Sequence, residues 1–261
     1  MRGGVLTNAD APLVAMRGIT KRFGGVVALD GVDFDVHRGE VVGLVGDNGA
    51  GKSTLIKVLA GAYQPDRGEI RFAGERVSIP TPRAAKELGI ETVYQDLALV
   101  DSLDVPGNIF LGRELVRFRL GPLRVMNKSE MARQSEELLA SLGLKLPSLA
   151  SEVGWLSGGQ RQSVAISRAL YTQPKLIILD EPTSALAVSE AERVLELARS
   201  LREQHIGVIL ISHTMQEVMA VSDRIAVLRK GEMVANLATD ETDLDEVVKY
   251  IVGSEKMASH G

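Results

Sequence analysis

The chain has 261 residues, of which 45% are hydrophobic and 25% charged, so its composition is that of an ordinary globular protein. This excludes intrinsic disorder, and the length allows one large domain or two small ones. A net charge of -4 argues against a dedicated nucleic-acid binder, and the absence of cysteine excludes disulfides, cysteine-ligated zinc and thiol catalysis. No apolar run approaches the ~20 residues that span a bilayer. We expect a flexible leader over 1–12 rather than a secretion signal, and a cytoplasmic protein.

The N-terminal part of the chain predicts a small antiparallel β layer that leads into an α/β core. Alternating apolar residues predict strands over 13–20 and 32–36, with turns at Gly24-Gly25 and at Asp30-Gly31. Nearly continuous apolar residues then predict a strand at 40–45 that is buried on both faces, and a glycine-rich loop joins it to a helix at 53–63. The remaining predicted elements of this part are strands at 69–72, 77–79 and 90–94 and a helix at 83–88.

Strand signals fade between residues 96 and 168, where helical spacing predominates, most clearly over 128–142. This pattern predicts a helical insertion, placed at about 97–168. Buried strands return at 175–180, 208–212 and 224–229, and helices are predicted at 189–204, 215–221 and 243–252. Such alternation indicates a mainly parallel sheet, and residues 253–261 are expected to form a polar tail.

The glycine-rich loop matches G-x-x-x-x-G-K-[ST], the Walker A motif, in the strand-to-helix context that the motif requires. Glycines allow backbone N–H groups to surround phosphate oxygens, the lysine adds a positive charge, and the serine hydroxyl can bind Mg²⁺. A glycine-rich turn that merely caps a helix is the alternative. The predicted phosphate-binding residues are Gly46, Asp47, Asn48, Gly49, Ala50, Gly51, Lys52, Ser53 and the adjoining Thr54.

Two carboxylates end the predicted strand 175–180, at the edge of the sheet where ligands bind in open α/β folds. Asp180 is placed to hold Mg²⁺, and Glu181 could orient and deprotonate the water that attacks a γ-phosphate. A solvated strand end before Pro182 is the alternative.

The segment Leu156-Ser-Gly-Gly-Gln160 could form a second anion site at the start of a helix, or a plain N-cap turn. With this segment the sequence resembles the nucleotide-binding subunit of an ATP-binding-cassette (ABC) transporter. The resemblance covers about 13–252 and implies that Ser157, Gly158, Gly159 and Gln160 form the signature that binds the γ-phosphate of ATP held by the opposite subunit. The neighbouring Trp155 is expected to anchor this loop by packing.

Three further residues occupy the places of functional residues in that family. The resemblance implies that Phe23 stacks on adenine, that Gln95 contacts Mg²⁺ and the attacking water, and that His213 contacts the γ-phosphate. Without it, a core phenylalanine, a solvated loop glutamine and a satisfied core histidine are the alternatives. The catalytic set is then Lys52, Gln95, Glu181 and His213, and the metal set is Ser53, Gln95 and Asp180.

The resemblance further implies the fold, the cofactors and the partners. The fold is α/β, a P-loop NTPase core of RecA type with an antiparallel β subdomain and an inserted α-helical subdomain. The cofactors are ATP and Mg²⁺. The partners are a second copy of the chain in an ATP-sandwich homodimer, an integral membrane permease, and indirectly a solute-binding protein, with no nucleic acid. The chain would therefore act at the cytoplasmic face of the membrane, and residues 96–111 would form the groove for a permease helix.

One position departs from the family. Ala187 follows Ser184-Ala-Leu186 where an aspartate is usual, which puts communication between the two sites in doubt. This variation, with 91–114 and 157–165, is similar to monosaccharide importers of the ribose, xylose and fructose type, so we expect a pentose or hexose. A branched-chain amino-acid importer, a soluble ABC-type ATPase and a non-hydrolysing nucleotide switch are the alternatives.

A basic cluster lies within the predicted insertion. It is either a solvated face or a contact with a membrane partner or lipid headgroups. Its members are Arg113, Arg117, Arg119 and Arg124.

Overall fold

The computed structural model describes residues 11–120 and 123–253, without the side chains of residues 119, 120 and 123. Most of the predicted leader (1–10) and tail (254–261) therefore lie outside the described residues. Within the described part of the chain, no helix combines the length and the apolar character needed to cross a bilayer.

A six-stranded sheet of described residues forms the core. Its spatial order is β12 (Glu232–Ala238), β11 (Arg224–Arg229), β3 (Val41–Val45), β10 (Gly207–Ile211), β9 (Leu176–Asp180) and β6 (Ile90–Val93). All neighbours are parallel except the edge strand β12, which pairs antiparallel with β11. The predicted mainly parallel sheet is confirmed, and β12 was not predicted. Because helices cover both faces of a parallel sheet, its central strands can be continuously apolar.

The predicted antiparallel layer is also confirmed. It has the order β2 (Val26–Val36), β1 (Val14–Phe23), β4 (Arg67–Phe72) and β5 (Glu75–Val77). The predicted turn at Gly24-Gly25 joins β1 to β2, but Asp30-Gly31 lies inside β2. There the register between β1 and β2 shifts, Gly31 has φ +64°, and its N–H donates to Thr20 Oγ1 at 3.1 Å. This glycine forms a β-bulge instead of a turn.

Five helices of the described residues lie outside the insertion. Two of them connect consecutive core strands, α6 (Val188–Glu203) and α7 (Met215–Val221), and α8 (Leu244–Val252) follows β12. The other two, α1 (Lys52–Leu59) and α2 (Pro82–Leu88), lie between the core and the antiparallel layer along the chain. The predicted first helix was too long, because the chain turns at Gly61, whose φ is +73°.

The insertion contains α3 (Val105–Ile109), α4 (Lys128–Ser141) and α5 (Gly158–Leu170), which bury their own apolar cluster around Phe110, Met131 and Val164. The predicted helical insertion is therefore present, and it also contains a strand pair that was not predicted. Strands β7 (Val116–Leu120) and β8 (Leu123–Met126) form an antiparallel pair, in which apolar and basic residues alternate with the strand period of two.

Candidate functional site

The carboxyl ends of four neighbouring core strands carry the predicted site residues. The glycine-rich loop follows β3, Asp180 ends β9, and His213 follows β10 by two residues. Gln95 follows β6. Parallel pairing places these ends at one edge of the sheet, where open α/β sheets form ligand crevices.

Two glycines of the loop have close backbone neighbours. At Gly46, with φ +148°, an added Cβ would lie 2.0 Å from the carbonyl oxygen of Leu228. At Gly51, with φ +110°, it would lie 2.6 Å from the carbonyl oxygen of Ala28. The loop can therefore take this path only with glycine at both positions.

The side chain of Lys52 lies within the loop that precedes it. Its ammonium donates to the carbonyl oxygens of Gly46 at 2.6 Å and Asp47 at 3.1 Å, and the residue is only 7% exposed. Burial lowers the pKa of Lys52, against the opposing effect of Glu181, Asp47 and Asp180. The loop thus surrounds a positive charge at the N-terminus of α1, which is where an anion binds well.

The other loop residues divide by exposure. Asp47, Asn48 and Gly49 are exposed at the tip, while Ala50 is buried and its carbonyl accepts from the N–H of Gly231 at 2.9 Å. In the first turn of α1, Ser53 is exposed and Thr54 half-buried. The alternative of a turn that merely caps α1 does not account for the buried Lys52, which the loop holds by two hydrogen bonds.

Glu181 and His213 contact each other across two strand ends. His213 Nε2 lies 2.5 Å from Glu181 Oε1, and the N–H of Glu181 donates to the carbonyl of Ile211 at 2.9 Å. Glu181 has φ +52°, a conformation that non-glycine residues rarely adopt outside constrained sites. With its side chain 51% exposed, His213 is no core histidine.

Asp180 is half-buried and lies beside a second carboxylate, that of Glu181. Burial and the neighbouring Glu181 raise its pKa, while Lys57, Lys52 and His213 act in the opposite direction. The two carboxylates thus face a group of cations, and a solvated strand end does not describe them.

Sequence reasoning missed Glu217, which joins the segments carrying Glu181 and His213. Its Oε2 accepts from the hydroxyls of Thr183 at 2.6 Å and Ser212 at 2.8 Å, both in buried residues. No local pattern signals this role, because Glu217 is the third residue of α7 and both of its partners lie outside that helix.

Gln95 is exposed and lines a cavity of 360 Å³ with Glu181, Gly158 and Ser184. Its side chain therefore opens onto the same space as Glu181.

The signature residues begin α5 and form a capping box. The N–H of Gln160 donates to Ser157 Oγ at 3.3 Å, and Gln160 Oε1 accepts from the N–H of Ser157 at 2.9 Å. Ser157 is therefore an N-cap residue, and this local role is compatible with an anion site at the start of α5. None of the hydrogen bonds among the described residues joins the signature to the phosphate loop.

Glu190, which sequence reasoning also missed, contacts the signature. Ser157 Oγ donates to Glu190 Oε1 at 2.8 Å, and the N–H of Gly159 donates to Oε2 at 3.2 Å. Trp155 is 85% exposed, so its predicted role as a packing anchor is wrong. The short 3₁₀ helix of residues 153–155 buries Val153 instead and leaves the indole in solvent.

Phe23 is 43% exposed at the end of β1, which excludes the core alternative. Its ring meets Tyr63 edge-on with centroids 5.1 Å apart, and Lys21 Nζ lies 5.5 Å from its centroid. An exposed ring of this kind can stack on a flat ligand.

The basic cluster of the insertion does not form one surface. Arg113 is half-buried and its guanidinium lies 3.9 Å from the buried carboxylate of Glu91, whereas Arg117 and Arg124 are exposed on the hairpin. Among the members whose side chains the structure describes, Arg117 and Arg124 remain available to a partner, and the side chain of Arg119 lies outside the described part.

The fold and these groups define a P-loop nucleotide-binding protein. Residues 29–184 match the family model described as ABC transporter. The chain belongs to this family and is an ATP-binding, ATP-hydrolysing cassette, which confirms the predicted fold class.

Three relatives give the range of similarity. The xylose/arabinose import ATP-binding protein XylG of Sulfolobus acidocaldarius is 46% identical over 92% of this chain and 93% of its own length. The fructose import ATP-binding protein FrcA of Rhizobium meliloti is 41% identical over 95% of this chain and 96% of its own. The ribose import ATP-binding protein RbsA 1 of Rubrobacter xylanophilus is 46% identical over 93% of this chain but only 47% of its own. The chain thus spans about half the length of that third relative.

Solved structures agree with this assignment. A nucleotide-free ATP-binding cassette of an ABC transporter matches with TM-score 0.78 and 28% identity, covering 93% of this chain and 96% of its own. A dimeric cassette in a post-hydrolysis state, bound to ADP and Pi, matches with TM-score 0.72 and 25% identity, covering 87% and 98%.

Proposed function

We propose that this chain is the ATP-hydrolysing subunit that powers import of a monosaccharide, of the ribose, xylose or fructose type, through a membrane permease. It works as a homodimer at the cytoplasmic face of the membrane and receives solute indirectly from a solute-binding protein. The observation that carries the proposal is the contact of Glu181 with His213, beside the half-buried Asp180 and the buried Lys52. The sugar assignment is supported by the names of the relatives.

ATP occupies the surface between Phe23 and the phosphate loop. Phe23 offers an exposed ring for adenine. The loop residues Gly46–Thr54 supply backbone N–H groups to the phosphates, and Lys52 exchanges its two loop carbonyls for phosphate oxygens.

Mg²⁺ would be held by Ser53, Gln95 and Asp180. These residues offer a hydroxyl, an amide oxygen and a carboxylate, which are the hard oxygen donors that Mg²⁺ prefers. The described residues contain no group of three acidic or histidine side chains that would form an all-protein cage. This suits an ion that takes few protein ligands and binds substrate phosphates; when bound, it neutralises charge on the phosphates.

Hydrolysis uses Glu181 as the group that orients water and accepts its proton. The water oxygen attacks the γ-phosphorus, the bond from that phosphorus to the bridging oxygen breaks, and ADP leaves with the bond's electron pair. His213 holds the Glu181 carboxylate and reaches the γ-phosphate. Gln95 opens onto the same cavity and contacts the attacking water.

Each ATP is completed by the signature of a second copy, through Ser157, Gly158, Gly159 and Gln160. The dimeric arrangement of a related cassette supports this part of the proposal. Two large apolar residues near the signature, Trp155 at 85% and Val188 at 78% exposure, would be covered by the second copy. Both composite sites are then equivalent.

The permease docks in a cavity of 760 Å³ within the insertion. It is lined by Leu103, Pro106 and Leu111, together with Met126 of the hairpin. This cavity begins within the segment 96–111 that the family resemblance assigns to the permease helix.

Light scattering and solute uptake test the proposal separately. Glu181→Gln protein should bind ATP and persist as a dimer, whereas wild-type protein should hydrolyse ATP and return to monomer. A monomeric variant at saturating ATP would contradict the ATP-sandwich dimer, and turnover retained by the variant would show that Glu181 is not catalytic.

Cells lacking the chain should lose uptake of one labelled pentose or hexose. Loss of a branched-chain amino acid instead would overturn the sugar assignment.

A further inference from the structure

Glu190 occupies the hydrogen-bond donors that the proposed function gives to the γ-phosphate. One carboxylate oxygen accepts from the hydroxyl of Ser157 at 2.8 Å, and the other accepts from the N–H of Gly159 at 3.2 Å. An anion held by a serine hydroxyl and a helix N-terminal amide has the surroundings expected for a bound phosphate oxygen. Glu190 therefore fills an anion site of its own subunit.

The close approach depends on Gly159. A Cβ at this residue would lie 2.5 Å from the carboxyl carbon of Glu190, so any larger residue would push the carboxylate away. Glu190 itself is the third residue of α6, where a glutamate often bonds back to its own N-cap. The N-cap here is Ala187, which has no side-chain cap, and Glu190 reaches across to α5 instead.

The structure also provides a place to which the carboxylate can move. A cavity of 550 Å³ beside the signature is lined by Glu190, Gly159, Arg193 and Lys145. A rotated Glu190 would meet two cations there, which compensates for the bonds it leaves.

We propose that Glu190 is a gate on the signature. In the single subunit it closes the anion site, and the γ-phosphate on the partner displaces it when the dimer forms. The ATP requirement of dimerisation then includes breaking two charge-assisted hydrogen bonds. This inference rests on the proposed function, because it assumes that the signature of one copy binds ATP held by the other.

The test measures dimerisation by light scattering against ATP concentration in the Glu181→Gln background. Adding Glu190→Gln removes the charge and should lower the half-saturating ATP about tenfold, since the amide nitrogen cannot accept from Gly159. The matched control is Glu192→Gln, which removes the same charge from an exposed position of α6 and should leave the midpoint unchanged. Adding Glu190→Asp keeps the charge on a shorter side chain and should give an intermediate midpoint.

Two measurements keep the outcomes distinct. Affinity for a fluorescent ATP analogue at the phosphate loop should match the parent's. Urea unfolding of the nucleotide-free protein should remain one cooperative transition, with a midpoint lowered only by the loss of the two hydrogen bonds, which shows that each variant is folded. A midpoint that stays the same or rises with Glu190→Gln would overturn the gate, a rise meaning that Glu190 positions Ser157 for ATP. If the Glu181→Gln parent forms no dimer at any ATP concentration, the proposed function fails instead.

Discussion

Replacing Glu217 with alanine removes a carboxylate that joins two catalytic segments. Its Oε2 accepts hydrogen bonds from Thr183, two residues after Glu181, and from Ser212, which directly precedes His213. The two hydroxyl-bearing residues are 7% and 4% exposed, so water cannot fully replace the lost acceptor. The variant should therefore affect both stability and hydrolysis.

The expected magnitude follows from these two contacts. A hydrogen bond to a charged group contributes about 1.5–3 kcal/mol, and two bonds that share one oxygen contribute less than twice that value. Ser212 Oγ keeps one partner, because it accepts from the N–H of Thr214 at 3.0 Å. We expect the free energy of unfolding to fall by about 2–4 kcal/mol.

Hydrolysis should fall more than ATP binding. Displacing the ends of β9 and β10 by a fraction of an ångström separates Glu181 from His213, which should lower kcat by about 10–100-fold. The phosphate loop follows β3 and does not contact Glu217, so KM for ATP should change by less than about twofold.

Urea unfolding and phosphate release under saturating ATP measure the two effects. Glu217→Gln keeps an acceptor oxygen and should recover part of both losses, while Gln216→Ala, at an exposed position of α7, should match the wild type. Wild-type turnover in the Glu217→Ala protein would refute the reasoning, even if the protein were destabilised.

Three further outcomes are expected. Lys52→Ala should abolish ATP binding in calorimetry, and affinity within threefold of wild type would contradict its role. Burial and Glu181 raise the pKa of Asp180, so its charged form destabilises the fold above that pKa. Asp180→Asn should therefore raise the melting temperature of the nucleotide-free protein at pH 7. At a pH acidic enough to protonate Asp180, the substitution should leave the melting temperature unchanged. An equal rise in melting temperature at pH 7 and at the acidic pH would show that the charge of Asp180 is not the cause. Ala187→Asp should cap α6 by accepting from the N–H of Glu190, which adds about 1 kcal/mol of stability. It should also change the Hill coefficient of ATP hydrolysis more than the affinity for ATP. An unchanged Hill coefficient would show that Ala187 does not affect coupling between the two sites.

Local features of this chain were predictable because their information is contiguous in sequence. The phosphate loop needs a strand, three glycines and a lysine in one short run. The buried strands β3 and β10 contain no charged or polar side chain, and β9 has only Asp180, at its end. The signature is equally compact, and its capping box follows from Ser157 and Gln160 alone.

Contacts between distant elements were not predictable in this way. Glu190 and Glu217 reach the site from α6 and α7, and their partners lie on other segments of the chain. Exposure likewise depends on which neighbour fills the core. Val153 is buried where Trp155 was expected to pack, and Arg113 lies beside the buried Glu91 instead of joining the exposed arginines of the hairpin.

The position of β3 in the sheet sets the order in which the site can be assembled. The strand that carries the phosphate loop spans 41–45, yet its two neighbours, β10 and β11, begin at Gly207 and Arg224. During synthesis this apolar strand has neither neighbour until part of the last quarter of the described chain has left the ribosome. Such long sequence separation slows folding and exposes strand edges to aggregation. We therefore expect nascent chains that stop before β11 to depend on chaperones and to lack nucleotide affinity, although their Walker A sequence is already complete.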